Sequence, residues 1–168
     1  MIRRSFIIAG AMGALSIVFS PSALACACAE ITSFEDSMKR ARTVLGGRVS
    51  SQVFRDPEHL YPAVDDAVAV ELTVLRVIKG KDVRRTVRVW SPFAGSSCDD
   101  QGFRALAPGT LVAFAVAKAS AWDRETWFDF GLSPAKDDYM VGTCGTHWKV
   151  LSSEQELRGL AVWDRLPT

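Results

Sequence analysis

The residues with the clearest chemical potential are two cysteines separated by a single residue, Cys26-Ala27-Cys28. They directly follow Ser22-Ala23-Leu24-Ala25, whose small residues match a signal-peptidase site of the A-x-A type. Cleavage after Ala25 would make Cys26 the first residue of the mature chain and leave its α-amino group free. A disulfide would then fix the residue that carries this amine, whereas chain termini are normally mobile. A fixed amine beside its own carbonyl group is a metal chelator, and this is the first chemistry that the sequence predicts.

The residues before this site predict export. Arg3 and Arg4 form a basic start, and the stretch from Phe6 to Phe19 is almost entirely apolar. This stretch is shorter than the roughly 20 apolar residues of a membrane span. We therefore predict a signal peptide over 1–25 and a single mature domain over 26–168. We expect a secreted, periplasmic or extracellular protein without a membrane span. The twin arginine leaves both the twin-arginine and the general secretory route open.

The mature chain has the size and charge of one ordinary domain. Removing residues 1–25 from the 168 leaves 143, which is enough for one real hydrophobic core. The same removal takes away two arginines, so 18 basic residues face 19 acidic ones. This near-neutral balance gives no electrostatic reason to expect a nucleic-acid partner. We expect a monomer.

The cysteines indicate a disulfide-bonded protein. All four of them lie after residue 25, at Cys26, Cys28, Cys98 and Cys144. An even count in an exported chain favours two disulfides. A Cys26–Cys28 bridge would close a very tight ring, so we set it aside, and the two other pairings remain open. Structural zinc sites usually repeat a C-x₂₋₄-C spacing, which this chain lacks. We therefore expect no metal and no cofactor in the free protein.

The pattern of the mature chain is mainly that of β-structure. Alternating apolar residues predict a strand from Val68 to Val74, and a continuous apolar run predicts a central strand from Leu111 to Ala117. Gly46-Gly47 lies inside another predicted strand, where glycines favour a bulge or bend. We predict six strands in all, over 44–54, 68–78, 85–90, 111–117, 127–130 and 139–144.

Two helices are predicted at the ends of this β-rich region. Thr32 and Glu35 match a capping box before the first helix, and Ser153 and Glu156 match another before a helix that extends to Asp164. The chain between them has the strands and glycine-bent start of a small barrel. The predicted fold class is therefore mainly β, with a five- to six-stranded closed barrel similar to the oligonucleotide- and oligosaccharide-binding (OB) fold. A sandwich remains an alternative from pattern alone.

The cysteines and their flanks carry a family resemblance. The terminus Cys26-Ala27-Cys28-Ala29, the helix after it, the distant Ser96-Ser97-Cys98 and the later Cys144 resemble the N-terminal domain of the tissue inhibitors of metalloproteinases. They also resemble the wider netrin-like module. The likeness covers nearly the whole mature chain in order and spacing, although its specific part is these motifs. It implies a five-stranded OB-type barrel with disulfides Cys26–Cys98 and Cys28–Cys144.

The resemblance also implies a mechanism of inhibition. The amine and carbonyl of Cys26 would bind the catalytic zinc of a metalloproteinase, which keeps one coordination position open. The side chain of Ala27 would point into the substrate pocket, with Cys28 and Ala29 following. Ser96 and Ser97 would pack beside the terminus and join the contact surface. Since the amine must be unprotonated and its reference pKa is about 7.7–8.0, inhibition should strengthen as pH rises through that range.

The chain departs from the family pattern in three respects. The second mature residue is Ala27, where established inhibitors usually carry a hydroxyl group, and a methyl group donates no hydrogen bond. The established inhibitors also have a third disulfide in this domain and often a second small domain, and the sequence shows neither.

Two alternatives follow from the same residues. A terminus held by disulfides would also suit a non-inhibitory extracytoplasmic protein-binding module. Ala23-Leu24-Ala25-Cys26 partly resembles a lipoprotein signal, and lipidation at Cys26 would consume its thiol and leave an odd cysteine. No G-x-S-x-G, H-E-x-x-H, P-loop or Rossmann glycine pattern occurs, so we expect a protein that is not an enzyme.

Overall fold

The computed structural model describes residues 33–54, 67–81, 84–91, 102–121, 134–142 and 146–160. Its strands are β1 (Thr43–Phe54), β2 (Ala67–Lys79), β3 (Thr86–Trp90), β4 (Leu111–Lys118), β5 (Tyr139–Met140) and β6 (Trp148–Val150). Its helices are α1 (Phe34–Arg40), α2 (Gly102–Ala105) and α3 (Glu154–Gly159), with a 3-10 turn at Ala119–Ala121. Within these ranges, no helix is long and apolar enough to cross a membrane.

Five of the strands close into a barrel. The sheet runs β1-β2-β3-β5-β4, and β4 pairs again with β1. All pairs around the ring are antiparallel except β3 and β5, which run parallel. The sixth strand, β6, also lies along β4. The protein is therefore mainly β, with a closed, mixed, five-stranded OB-like barrel and one added strand, which confirms the predicted fold class.

The first strand has to bend because it pairs with β2 along one edge and with β4 along the other, and these two pairings close the barrel. β1 pairs with β2 along its whole length and with β4 from Thr43 to Arg48. The ladder with β2 shifts register between Gly46 and Gly47, which confirms the bend predicted there. A Cβ on Gly47 would collide with the carbonyl oxygen of Thr73. Glycine at this position therefore lets two strands approach closely enough for the barrel to curve.

The alternation of large and small residues along β4 separates two cores. Val112, Phe114 and Val116 lie in the barrel interior, whereas the alanines between them lie in a second cluster on the outer face. The interior is completed from α2, where the rings of Phe103 and Phe114 meet edge to face with centroids 5.9 Å apart. The position of β4 confirms the strand predicted from Leu111 to Ala117.

The two terminal helices share the outer cluster over β4. Phe34 and Met38 of α1 and Leu157 of α3 are buried there against the β4 alanines. A Cβ on Gly46 would collide with the Leu157 side chain, so this glycine also makes room for α3. Small residues on β1 and β4 thus form the seat on which both helices pack.

The helix ends agree only partly with the predicted caps. Ser33, not Thr32, caps α1, because its Oγ accepts a hydrogen bond from the Asp36 N–H at 3.2 Å. Ser153 caps α3 as predicted, with its Oγ accepting from the Glu156 N–H at 3.2 Å. The described helix α3 ends at Gly159, and residues 161–164 of the predicted helix lie outside the described residues.

Candidate functional site at the exit of the parallel strands

The parallel strands β3 and β5 leave the barrel side by side. Val89 pairs with Tyr139 and Trp90 with Met140, and the Val141 N–H donates to the Trp90 carbonyl oxygen at 3.0 Å. Because parallel strands point the same way, both finish at one end of the barrel. We call this end the parallel-strand exit. Along the sequence, β3 leads towards Cys98 and β5 leads towards Cys144.

The path from β5 to β6 contains an extra segment of chain. Both strands pair with β4, Met140 opposite Ala117 and Trp148 opposite Phe114. The two pairs are three residues apart on β4, from Ala117 to Phe114. They are eight residues apart on the partner chain, from Met140 to Trp148, which therefore has five more residues than β4 over the same stretch. The surplus lies between Met140 and Trp148, the stretch of sequence that includes Cys144. The register against β4 therefore differs by five residues between β5 and β6.

The base of this extra segment is closed by direct contact. A Cβ added to Gly142 would collide with the imidazole ring of His147, so the ring lies against the Gly142 backbone. The carbonyl oxygen of His147 accepts a hydrogen bond of 2.7 Å from the Ala115 N–H. The chain therefore returns to β4 directly after the extra segment, and glycine is required at the contact.

A side-chain hydrogen bond reinforces the short β3–β5 pairing. The Asp138 Oδ2 atom accepts from the Trp90 Nε1–H at 2.8 Å and from the Ala135 N–H at 2.9 Å. The Asp138 carbonyl oxygen accepts from the Ala119 N–H at 2.8 Å. Trp90 is only 4% exposed, so its indole N–H needs this acceptor. One aspartate thus links the start of β5 to both of its neighbours.

A polar row crosses the outer face beside Trp90. The Arg88 guanidinium donates to Glu71 Oε1 at 2.7 Å, and the Ser51 hydroxyl donates to Glu71 Oε2 at 3.0 Å. The Arg88 bond, followed by the Ser51 bond, holds the pKa of the Glu71 carboxyl below its usual range. Arg88 also lies over the Trp90 ring, 5.8 Å from its centroid. Trp90 therefore contacts Arg88 through its ring and Asp138 through its indole N–H.

The residues predicted to act at the site lie outside the described residues: Cys26, Ala27, Cys28, Ala29, Ser96, Ser97, Cys98 and Cys144. The predicted strand 127–130 also lies outside them, as do the ends of the strand over 139–144 and of the closing helix. The structure brings together the two strand ends that precede Cys98 and Cys144 in sequence. Among the residues that it describes, no group of three or more His, Cys, Asp or Glu side chains could hold a metal ion.

Several residues that shape the exit were not found from the sequence. Gly142 and His147 are separated by four residues, and only the surplus in the ladder makes them neighbours. The Trp90–Asp138 bond joins residues 48 positions apart, and no local pattern marks it. The three-residue strand β6 is too short to give a periodic signal.

Comparisons with known proteins leave the family of this chain open. No family model matches it, and no curated protein matches it. The site is therefore described by its own residues: two parallel strand ends, a closed extra segment and the Trp90–Asp138 bond that holds the strands together.

Proposed function

We propose that this protein is an exported netrin-like module that inhibits a zinc metalloproteinase. In this proposal residues 1–25 are removed, and the amine and carbonyl of Cys26 chelate the zinc of the protease. The disulfides Cys26–Cys98 and Cys28–Cys144 hold the terminus in place. The protein itself performs no catalysis and holds no metal before it meets its target.

One observation carries the proposal: the strands that lead to Cys98 and to Cys144 leave the barrel as hydrogen-bonded neighbours. The proposed disulfides require both cysteines to reach one N-terminal Cys-x-Cys segment. Cys144 follows Gly142 by two residues, a distance of at most about 7 Å along an extended chain. Cys98 follows Ser91 by seven residues, which leaves ample reach. Adjacent strand exits favour this arrangement, whereas exits at opposite ends of the barrel would oppose it.

The closed base of the extra segment supports the same arrangement. The contact between Gly142 and His147 restricts where the chain before and after Cys144 can lie. A cysteine on a restrained segment loses less conformational freedom when it forms a disulfide, and a terminus bonded to it is itself restrained. A restrained chelator binds its metal with a smaller entropy loss than a mobile one. The barrel would therefore contribute to affinity without touching the zinc.

The direct test compares two N-termini. The oxidised chain beginning at Cys26 is assayed against a panel of zinc endopeptidases beside a chain with one extra alanine ahead of Cys26. We expect inhibition by the first chain only, because the extra residue converts the amine into an amide and moves the terminus. Equal inhibition by both chains, or by neither, would show that the chelation mechanism is wrong.

The second mature residue gives a graded version of this test. Ala27→Thr restores the hydroxyl group that established inhibitors usually present to the substrate pocket, whereas Ala29→Thr makes the same change two residues further on. We expect a lower inhibition constant for Ala27→Thr and a smaller change for Ala29→Thr. Disulfide mapping of each variant by mass spectrometry confirms that the pairing is the same in both.

A further inference from the structure

The end of the barrel opposite the parallel-strand exit carries a concentration of positive charge. This end contains the start of β1, the end of β2, the start of β3, the end of β4 and the start of β5. Nine basic residues lie there, and we call them the basic rim: Lys39, Arg40, Arg42, Lys79, Lys81, Arg84, Arg85, Lys118 and Lys136.

Hydrogen bonds place members of the rim beside one another although they belong to different segments. The Lys79 ammonium donates to the Lys39 carbonyl oxygen at 2.9 Å, which joins β2 to α1. The Arg84 guanidinium and the Lys118 ammonium both donate to the carbonyl oxygen of Asp137, at 2.7 and 3.2 Å. This shared acceptor joins the approach to β3 with the end of β4. The rim is therefore one surface contributed by five segments.

Few acidic groups on the described part of this end oppose the charge. Asp36 pairs with Lys39 at 3.1 Å, and the Asp138 carboxylate is occupied by Trp90 and Ala135. Among the described residues, Asp137 and, on α1, Glu35 are further acidic residues near this end. The whole chain has a formal net charge of only +1, so the rim reflects an uneven distribution of charge. Six of its members have exposed side chains: Lys39, Arg40, Arg42, Lys81, Arg85 and Lys136.

We infer that the basic rim docks the protein on the surface of an anionic lipid bilayer. Clusters of four to eight basic residues attract anionic lipid, each contributing about 1 kcal/mol near the surface. The rim residues encircle one end of the barrel instead of lining a groove, which suits an extended surface better than a single chain.

Docking by this end would direct the parallel-strand exit away from the lipid. The rim and the exit lie at opposite ends of β1, β2 and β4, although they are close along the two-residue strand β5. A protein held by its rim would therefore keep the exit free for another partner. This inference is independent of protease inhibition, because it uses no residue of the proposed chelating site.

Vesicle flotation tests the docking. The mature protein, with its N-terminus determined by intact mass, is mixed with vesicles of phosphatidylcholine containing phosphatidylglycerol and with vesicles of phosphatidylcholine alone. We expect binding to the anionic vesicles only, and weaker binding as salt is added. The triple variant Lys81→Gln, Arg85→Gln, Lys136→Gln should bind on the order of 100-fold more weakly, since about 1 kcal/mol per residue corresponds to about fivefold.

A second triple variant controls for net charge. Arg48→Gln, Lys149→Gln, Arg158→Gln removes the same charge from residues near α3, away from the rim. We expect its vesicle affinity to stay within a few fold of the unchanged protein. Equal losses in both triple variants, or equal binding to neutral vesicles, would overturn the inference. Binding to soluble dextran sulfate without binding to anionic vesicles would overturn it as well, in favour of a polysaccharide partner.

Discussion

Removal of the Asp138 carboxylate tests how the barrel is closed between β3 and β5. These strands share only two paired positions, Val89 with Tyr139 and Trp90 with Met140. The carboxylate adds a hydrogen bond of 2.8 Å to the Trp90 indole across the same junction. We therefore expect Asp138→Ala to weaken the junction and lower the free energy of unfolding.

The size of the effect follows from the burial of the donor. Trp90 is 4% exposed, so its N–H would remain buried without an acceptor. An unsatisfied buried donor costs about 1–3 kcal/mol, and a bond to a charged acceptor contributes about 1.5–3 kcal/mol. The second donor, the N–H of Ala135, belongs to an exposed residue and can donate its hydrogen bond to water when the carboxylate is removed. We predict a loss of about 2 kcal/mol, nearly all of it from Trp90.

The measurement is a double-mutant cycle by urea unfolding, followed by far-ultraviolet circular dichroism. The four proteins are the unchanged chain, Asp138→Ala, Trp90→Phe and the double variant. Because Trp90→Phe removes the donor, Asp138→Ala should cost much less in that background, with a coupling energy of about 1.5 kcal/mol. Asp137→Ala is the matched control, since Asp137 is exposed and the bonds described for it use its carbonyl oxygen. It should change stability by less than about 0.5 kcal/mol.

An additive cycle would refute this reasoning. If Asp138→Ala costs the same with tryptophan and with phenylalanine at position 90, the carboxylate stabilises the protein through some other contact. If Asp137→Ala is as damaging as Asp138→Ala, the effect belongs to the charge of the turn and not to the bond with Trp90.

Two further predictions concern the packing of α3 and the response to acid. Gly46→Ala should lower the free energy of unfolding by about 1–3 kcal/mol because its Cβ would collide with Leu157, and the same substitution should cost less when it is made in a Leu157→Ala background, as measured by urea unfolding of the four proteins of the cycle. Glu71 has a pKa held below the ordinary value of 4.5 by Arg88 and Ser51, so its contribution to stability is present above that value and is lost as pH falls through the lower folded-state pKa. Glu71→Gln should therefore lose less stability than the unchanged protein on acidification below pH 4.5, as measured by thermal unfolding across pH; an identical acid response in both proteins would contradict the assignment.

The fold could be predicted where a residue pattern had one physical explanation. The valines and Phe114 of β4 alternate with alanines because one face fills the barrel and the other seats two helices. Two adjacent glycines inside a long strand favour a bend, and the ladder between β1 and β2 does shift register between Gly46 and Gly47. The first cap was predicted one residue too early, because a capping-box pattern at Thr32 does not show which hydroxyl meets an N–H of the first turn, and in the structure this is the Ser33 hydroxyl.

The site could be predicted only as a set of motifs. The cysteines indicate which segments should meet, but their meeting depends on the parallel placement of β3 and β5. That placement rests on bonds between distant residues, such as Trp90 with Asp138. The sequence predicted a strand from Tyr139 to Cys144 but not the five-residue change of register between β5 and β6, because strands of two and three residues are too short to give a periodic signal.

The seam between β1 and β4 has a consequence for the order of folding. Thr43 pairs with Val116, 73 positions later, whereas Phe54 pairs with Ala67 after only 13. Contacts between distant residues require more chain entropy to be lost before they contribute, and proteins rich in them fold slowly. We therefore expect the β1–β2 ribbon to form early and the seam to close late. Until it closes, the inward face of β4 remains exposed, and the unfinished barrel is the species most prone to aggregate.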